Sequence, residues 1–503
     1  MHDHADSRRA VHSGVISHVG TEIRGAERKL EQFFHFGDLV PLAVSSVGPL
    51  FSIAATGGVM AAQAGWYTLP AIALMAIPFL ISSQVFKLLN RHFPHAGASY
   101  HWSARVMGKG MSRFQAWVLI LAYFTSIPPI IIPASSYTLQ LIVPGYHPSA
   151  AVSLLVSTFW TGFALIPLLG GSKPTARITQ VFFSLEMLSL VGLTVLGVMD
   201  WGSLHVGVHP GPPPWGGILV VTVIAATILD GWEIDSYAAE ESKRPHQDPG
   251  KAGIVGSLVA FGFYVLLYPL ILGETPMNRL AGSSDPLAVW GQRLFPHAPW
   301  LIIIPILAST AGGLWLTTYI LTRALFAMGR ERLIPNSFGR LNKRYVPSVA
   351  IVTSLGTALV VTAIELFFKS LSAFFGLVLS AAGFFLVVEF FFDSLTATVF
   401  LVRAHRDYLP SVHGAPYSHR HRLMLWASIL ANLMFGSFIV TFFVVGPKAI
   451  GSDIDWVLAA SLVAGLLFTW ITRRRAQLIY VFQAPDTDQE PLAAPVVGGV
   501  SDI

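Results

Sequence analysis

The chain has 503 residues, of which 53% are hydrophobic and only 12% charged. Its 32 Lys and Arg and 27 Asp and Glu leave a net charge of +5, and this charged share is about half that of a typical soluble protein. Too few charges remain to coat a water-facing surface of this size, and the long apolar runs point to a polytopic membrane protein. With no cysteine in the chain, disulfides, thiolate nucleophiles and Cys-based metal sites are excluded.

Residues 1–36 are polar, with no apolar core before Phe33, so a tail is expected there and a cleaved signal peptide is not. A helix crossing the bilayer needs about 20 mostly apolar residues. That ruler predicts twelve spans, at 37–63, 67–90, 113–142, 150–169, 175–198, 216–241, 250–272, 299–327, 348–367, 371–402, 423–446 and 456–472. Pro/Gly-rich turns such as Pro144–Pro148 separate them. Residues 473–503 form a second polar tail. With the N-terminus inside, 27 of the 32 basic residues fall on one side. That asymmetry predicts both termini cytoplasmic in a cell membrane, and it accounts for the basic charge without nucleic acid.

Two spans are interrupted. Span 1 reads Val44-Ser45-Ser46-Val47-Gly48-Pro49-Leu50-Phe51-Ser52 at its middle, where a Gly-Pro pair removes a donor and obstructs the preceding turn. Span 6 carries Leu229-Asp230-Gly231-Trp232-Glu233-Ile234-Asp235, and carboxylates at that depth are expensive unless they face water, a ligand or a partner. Spans 1 and 6 open two successive five-helix blocks, and interrupted segments in matching positions point to the midplane site of a secondary transporter. In span 3, Pro128, Pro129 and Pro133 predict a distortion.

Three stretches resemble the amino acid–polyamine–organocation (APC) superfamily. Arg91-His92-Phe93-Pro94-His95-Ala96-Gly97-Ala98-Ser99-Tyr100 is similar to its F-P-x-A-G-G-x-Y loop, with Ala98 for the second Gly. Gly231-Trp232-Glu233 followed by Glu240-Glu241-Ser242-Lys243-Arg244-Pro245 resembles G-F-D…E-E-x-x-N-P. Arg323 to Pro335 resembles S-R-x-x-Y-A-M-A-R-D-G-x-L-P.

The resemblance implies an all-α fold of twelve transmembrane helices. A five-plus-five inverted repeat (37–198 and 216–402, leucine-transporter-like) would be followed by two C-terminal helices (423–472). It also implies alternating access around a central site. The unwound part of span 1 would hold a substrate carboxylate, placing Ser45, Ser46, Gly48 and Ser52 there. The unwound carbonyls of span 6 would hold an ammonium group, placing Ile228, Leu229, Asp230 and Gly231 there, with the extra acid Asp235 nearby. These polarities match the fields at half-helix ends. Trp232 takes the family's aromatic position beside the site, to cover a cationic ligand or to pack in the core.

The family's G-x-G in span 1 is replaced by Gly48-Pro49. Glu186 stands where many amino-acid members have a Lys that contacts span 1, and with Glu233 it is a candidate to carry a coupling proton. Glu389 and Asp393 in span 10 share a helix face and would line the inner vestibule or pair with Arg323. The expected function is proton-coupled symport or exchange of an amino acid, amine or polyamine, with no cofactor or bound metal. No Gly-Lys pair is followed by Ser or Thr, so no nucleotide-binding Walker loop is present. An inorganic-cation carrier or channel on the same fold is the alternative. An intramembrane enzyme using the span 6 acids is a remote one.

Overall fold

The computed structural model describes residues 29–143, 145, 149–200, 211–283, 285–368, 371–407, 419–450 and 453–474. The expected tails at 1–28 and 475–503 lie outside these residues. In chain order the helices are α1 (Phe36–Val47), α2 (Pro49–Ala64), α3 (Thr68–His92), α4 (Ala98–Val106), α5 (Lys109–Ser126), α6 (Pro128–Ile142) and α7 (Ala150–Gly170). There follow α8 (Ser172–Asp200), α9 (Trp215–Ile224), α10 (Ala226–Leu229), α11 (Ile234–Tyr237), α12 (Asp248–Glu274), α13 (Met277–Ala281) and α14 (Pro286–Leu294). The last are α15 (Trp300–Arg330), α16 (Ser348–Ala363), α17 (Leu371–Asp407), α18 (His419–Ile450) and α19 (Asp453–Thr472).

Among the described residues the fold is all-helical, with one isolated bridge between Phe34 and Ser242, and 10 helical runs are long and apolar enough to cross a membrane. One of these runs, Phe36–His92, contains the stretches predicted as spans 1 and 2. The predicted span 6 is absent from the 10, because its first half forms a shorter apolar stretch, Trp215–Leu229. Large apolar side chains cover the outside, among them Leu188, Met199, Leu433 and Trp456. In water such a surface would aggregate, whereas in hydrocarbon it costs nothing. This is a multi-pass membrane protein.

The backbone breaks follow from local chemistry. Gly48 adopts the left-handed conformation (φ 55°) and its N–H donates to the Val44 carbonyl, which closes α1. Pro49, with no N–H to satisfy, starts α2 at the next residue. The interruption in span 1 is thus a single residue. In span 6, α10 ends at Leu229, Asp230 is extended, Gly231 has φ 109°, and the helix resumes as α11 only at Ile234. The prolines of span 3 split it, α5 ending at Ser126 and α6 beginning at Pro128.

An aromatic core of Phe79, Phe86, Trp102, Trp232 and Phe390 joins α3, α4, the span 6 break and α17. At one end of the bundle the N-terminal segment is fastened to the end of span 6. The N–H groups of Phe33 and Phe34 donate to the Glu241 carbonyl, and that of Lys243 donates back to Phe34.

Candidate functional site

The two breaks touch. A Cβ added to Gly231 would lie 2.6 Å from the Ser46 carbonyl carbon and 2.7 Å from the Val47 nitrogen. The backbone of span 6 therefore packs directly on that of span 1, which only glycine permits. Beside this contact lies a cavity of about 40 Å³, with space for roughly two or three water molecules. Its polar lining includes Ser46, Ser52, Ser126, Thr227, Asp230 and Thr317, and its apolar wall includes Val47, Phe51, Ile130 and Leu379.

Of the residues singled out in the sequence, Ser46, Ser52, Ile228 and Asp230 line the cavity, whereas Ser45, Gly48, Leu229, Gly231, Trp232 and Asp235 do not. The Ser46 hydroxyl is buried and makes no hydrogen bond among the described residues, and Ser45 is alike. Ser52 Oγ donates to the Val47 carbonyl at 2.9 Å, bracing the break from the α2 side. The Ile228 carbonyl accepts a hydrogen bond from Tyr264 Oη at 2.5 Å. Trp232 packs in the aromatic core, its ring 5.2 Å from Phe86 and 5.8 Å from Phe390. Asp235 is buried, and neither of its oxygens has a hydrogen-bond partner among the described residues.

The carboxylates of Glu186 and Glu233 each hold one break. Both Glu233 oxygens accept from the Gly231 N–H, at 2.9 and 2.8 Å, and Tyr123 Oη donates to Oε1 at 3.0 Å. Glu233 thereby folds back and fixes the span 6 turn. Glu186 reaches from α8 to the first turn of α2, where its Oε1 accepts from the Leu50 N–H at 3.3 Å and from Ser309 Oγ at 2.6 Å. Ser309 Oγ in turn accepts from the Phe51 N–H at 3.1 Å. An acid at a helix N-terminus is favoured by the unpaired N–H groups and the helix field. The other oxygen of Glu186 has no partner among the described residues.

Ser309, Tyr264 and Tyr123 were not anticipated. Each is a polar group in a mostly apolar span, and no spacing rule marks such a residue as facing a break.

The expected pairing of Arg323 with the span 10 acids is not what the structure holds. Arg323 Nε donates to Glu241 Oε1 at 2.7 Å, and the other oxygen of that carboxylate accepts from Ser172 Oγ. Arg330 makes a two-pronged pair with Glu240 at 2.6 and 2.8 Å. The Ala96 N–H donates to the same carboxylate at 3.0 Å. Burial first, and then the neighbouring His101 and Arg330, keep His95 well below the ordinary histidine value. One trio among the described residues, His95, His101 and Glu331, offers donor atoms within 4.8 Å of one another. Arg330 Nη2 lies 2.9 Å from His95 Nε2, so a fixed positive charge already occupies this cluster, which is built as an ion-pair network.

Two broken helices meeting over a small polar cavity inside a multi-pass bundle define a membrane transporter. A sequence profile described as "Amino acid permease" matches residues 34–468, and the chain belongs to the amino acid permease family. It is 22% identical over 364 residues to the branched-chain amino acid permease BcaP of Lactococcus lactis subsp. cremoris, an alignment covering 68% of this chain and 77% of that protein. With BcaP of Bacillus subtilis the identity is 23%, covering 64% and 73%. With the L-methionine/branched-chain amino acid exporter YjeH of Escherichia coli it is 25%, covering 64% and 75%. The family makes the protein a transporter of amino acids and not an enzyme.

Proposed function

We propose that the protein is a proton-coupled secondary transporter of a neutral amino acid with an aliphatic side chain. In this reading it works by alternating access in the cytoplasmic membrane, with twelve spans, a five-plus-five repeat and both termini inside. The one-sided distribution of 27 basic residues supports the orientation. The facing breaks of spans 1 and 6 support the repeat. The apolar wall of Val47, Phe51, Ile130 and Leu379 suits an aliphatic side chain, as do the branched-chain amino acids named for the relatives. A polyamine would find one acid in the cavity, Asp230, and would leave its second charge on an apolar wall.

The position of Glu186 carries the reading. The N–H groups at the start of α2 are the natural dock for a substrate carboxylate, yet Glu186 and Ser309 already cap Leu50 and Phe51. Ionised Glu186 competes with the substrate for these donors and repels its carboxylate. Protonated Glu186 releases them and removes the charge. Proton and amino acid then favour each other's binding, and the coupling is reciprocal, which is the thermodynamic basis of symport. Asp230 faces the ammonium. A cavity of about 40 Å³ is too small for the substrate, so the walls around α1, α10 and α17 part as it enters.

Binding of labelled leucine to the purified protein as a function of pH tests this. Affinity is expected to rise as pH falls, and Glu186→Gln, which mimics the protonated acid, is expected to bind with little pH dependence. An unchanged pH slope in that variant would remove Glu186 from the coupling. Potassium flux with no amino acid requirement would instead favour the inorganic-cation reading.

A further inference from the structure

The substrate site leaves two buried acids unused. Glu389 and Asp393 on α17 are both 0% exposed, and among the described residues neither forms an ion pair with Lys, Arg or His, Arg323 being committed to Glu241. Two hydroxyls join them. Tyr237 Oη of α11 lies 2.9 Å from Glu389 Oε1 and 3.1 Å from Ser99 Oγ, and Ser99 Oγ of α4 lies 2.9 Å from Asp393 Oδ2. The other Asp393 oxygen, Oδ1, accepts from Gln115 Nε2 of α5 at 2.8 Å.

These contacts can be counted in protons. The row Glu389–Tyr237–Ser99–Asp393 has three hydrogen bonds, but its two hydroxyls supply only two protons. With both acids ionised, one contact would set lone pair against lone pair, and two buried anions would face each other without a cation. A second sign of protonation stands outside the row. Glu389 Oε2 is buried with no hydrogen-bond partner among the described residues, an environment that an ionised carboxylate does not tolerate.

We infer that Glu389, Tyr237, Ser99 and Asp393 form a proton-binding relay that holds one proton between its two carboxyl ends. With the proton on Glu389, the acid donates to Tyr237, Tyr237 to Ser99, and Ser99 to the Asp393 anion. When Glu389 Oε1 gives its proton to Tyr237 Oη, the phenol passes its own to Ser99 Oγ, and Ser99 passes its own to Asp393 Oδ2. One proton has then moved from end to end and no charge is left on either hydroxyl. The amide donated by Gln115 favours the anion on Asp393, so the resting proton belongs to Glu389. The other titratable groups facing the row are Glu233 and Tyr123, and the Tyr123 ring lies edge-on to that of Tyr237 at 5.7 Å. Asp393 is about 6 Å further along α17 than Glu389 at 1.5 Å per residue, toward the basic end at Arg403. The row crosses three elements, so a movement of span 6 against α17 breaks it.

The inference rests on the proton-coupled reading, and two measurements separate their failures. Infrared difference spectroscopy of the purified full-length protein is expected to show a protonated-carboxyl C=O band that Glu389→Gln removes and Asp393→Asn keeps. A wild-type spectrum with no band sensitive to Glu389→Gln would overturn the relay, whatever the transport data show. In proteoliposomes, Tyr237→Phe and Ser99→Ala each cut the row by one hydroxyl. Both are expected to lose pH-gradient-driven leucine accumulation while retaining leucine counterflow, which needs no net proton movement. Undiminished accumulation in both variants would also overturn the relay. If the wild type accumulates nothing under a gradient but the Glu389-dependent band is present, proton coupling fails and the shared proton stands.

Discussion

At the scale of single residues, two glycines set the geometry on which the site depends. Gly231 combines φ 109° with the backbone of Ser46 where a Cβ would be. Gly231→Ala therefore has to push spans 1 and 6 apart as well as accept a strained conformation, at a cost of roughly 1–3 kcal/mol for the strain alone. A lowered thermal-unfolding temperature in detergent together with loss of leucine binding is the expected outcome, and a wild-type melting curve would show that the contact is loose. Gly48 has the same left-handed requirement (φ 55°), and a Cβ there would press at 3.2 Å on the Ser309 hydroxyl that caps Phe51 and holds Glu186. Gly48→Ala is expected to cost about 1–2 kcal/mol for the strain and to alter the pH dependence of leucine binding, and a wild-type pH profile would show that the hydroxyl shifts without disturbing Glu186. The Gly-Pro pair and the clustered acids made both breaks visible in the amino-acid sequence. Ser309 and Tyr264 were invisible there, because a serine between Ala308 and Thr310 in α15 looks the same whether it faces lipid, a neighbour or an opened helix end.

At the scale of elements, the end of span 6 is a fastening point. Glu241 receives Arg323 from α15 and Ser172 from α8, its backbone receives Phe33 and Phe34, and the adjacent Glu240 receives Arg330 and the Ala96 N–H. Removing one partner of a buried ion pair strands the other charge, so Glu241→Ala is expected to destabilise by ~3–5 kcal/mol, measured as thermal unfolding against the wild type. The E-E pair of the sequence motif was legible; its bases were not. Reading Arg323 against the span 10 acids failed because sequence distance along α15 does not show which neighbour the guanidinium meets first.

The same cluster gives a pH signature. His95 stays uncharged in the folded protein but takes a proton near about pH 6.5 once unfolded. Its contribution is therefore fully present above that pH and is lost as pH falls through the window below it. Between pH 7 and pH 5 the melting temperature of His95→Gln is expected to rise relative to that of the wild type, since the variant lacks the group whose contribution is lost there. A His95→Gln profile parallel to the wild type would assign the effect elsewhere.

At the scale of the whole molecule, composition was enough to specify a membrane bundle, and the one-sided basic residues carry the proposal for its orientation. Positions of helices were read well, since a run of about 20 apolar residues has few alternatives. What stayed hidden was how the buried polar residues pair, which depends on long-range packing. Ser99, Gln115, Tyr237 and the α17 acids come from four separate stretches, and only the folded chain shows that they share one row. In the proposed cycle a proton on Glu186 admits the substrate, Asp230 takes its ammonium, and the touching breaks of spans 1 and 6 let the two halves move as units. The α17 relay serves the proton on the basic side. The most direct test of that cycle is uptake of labelled leucine into proteoliposomes carrying the full chain, with an inward proton gradient imposed and then collapsed by a protonophore. Accumulation above equilibrium that vanishes with the gradient, and is missing in Glu186→Gln while its leucine counterflow persists, is the predicted result. Accumulation that is indifferent to the protonophore, or equal in wild type and Glu186→Gln, would contradict it.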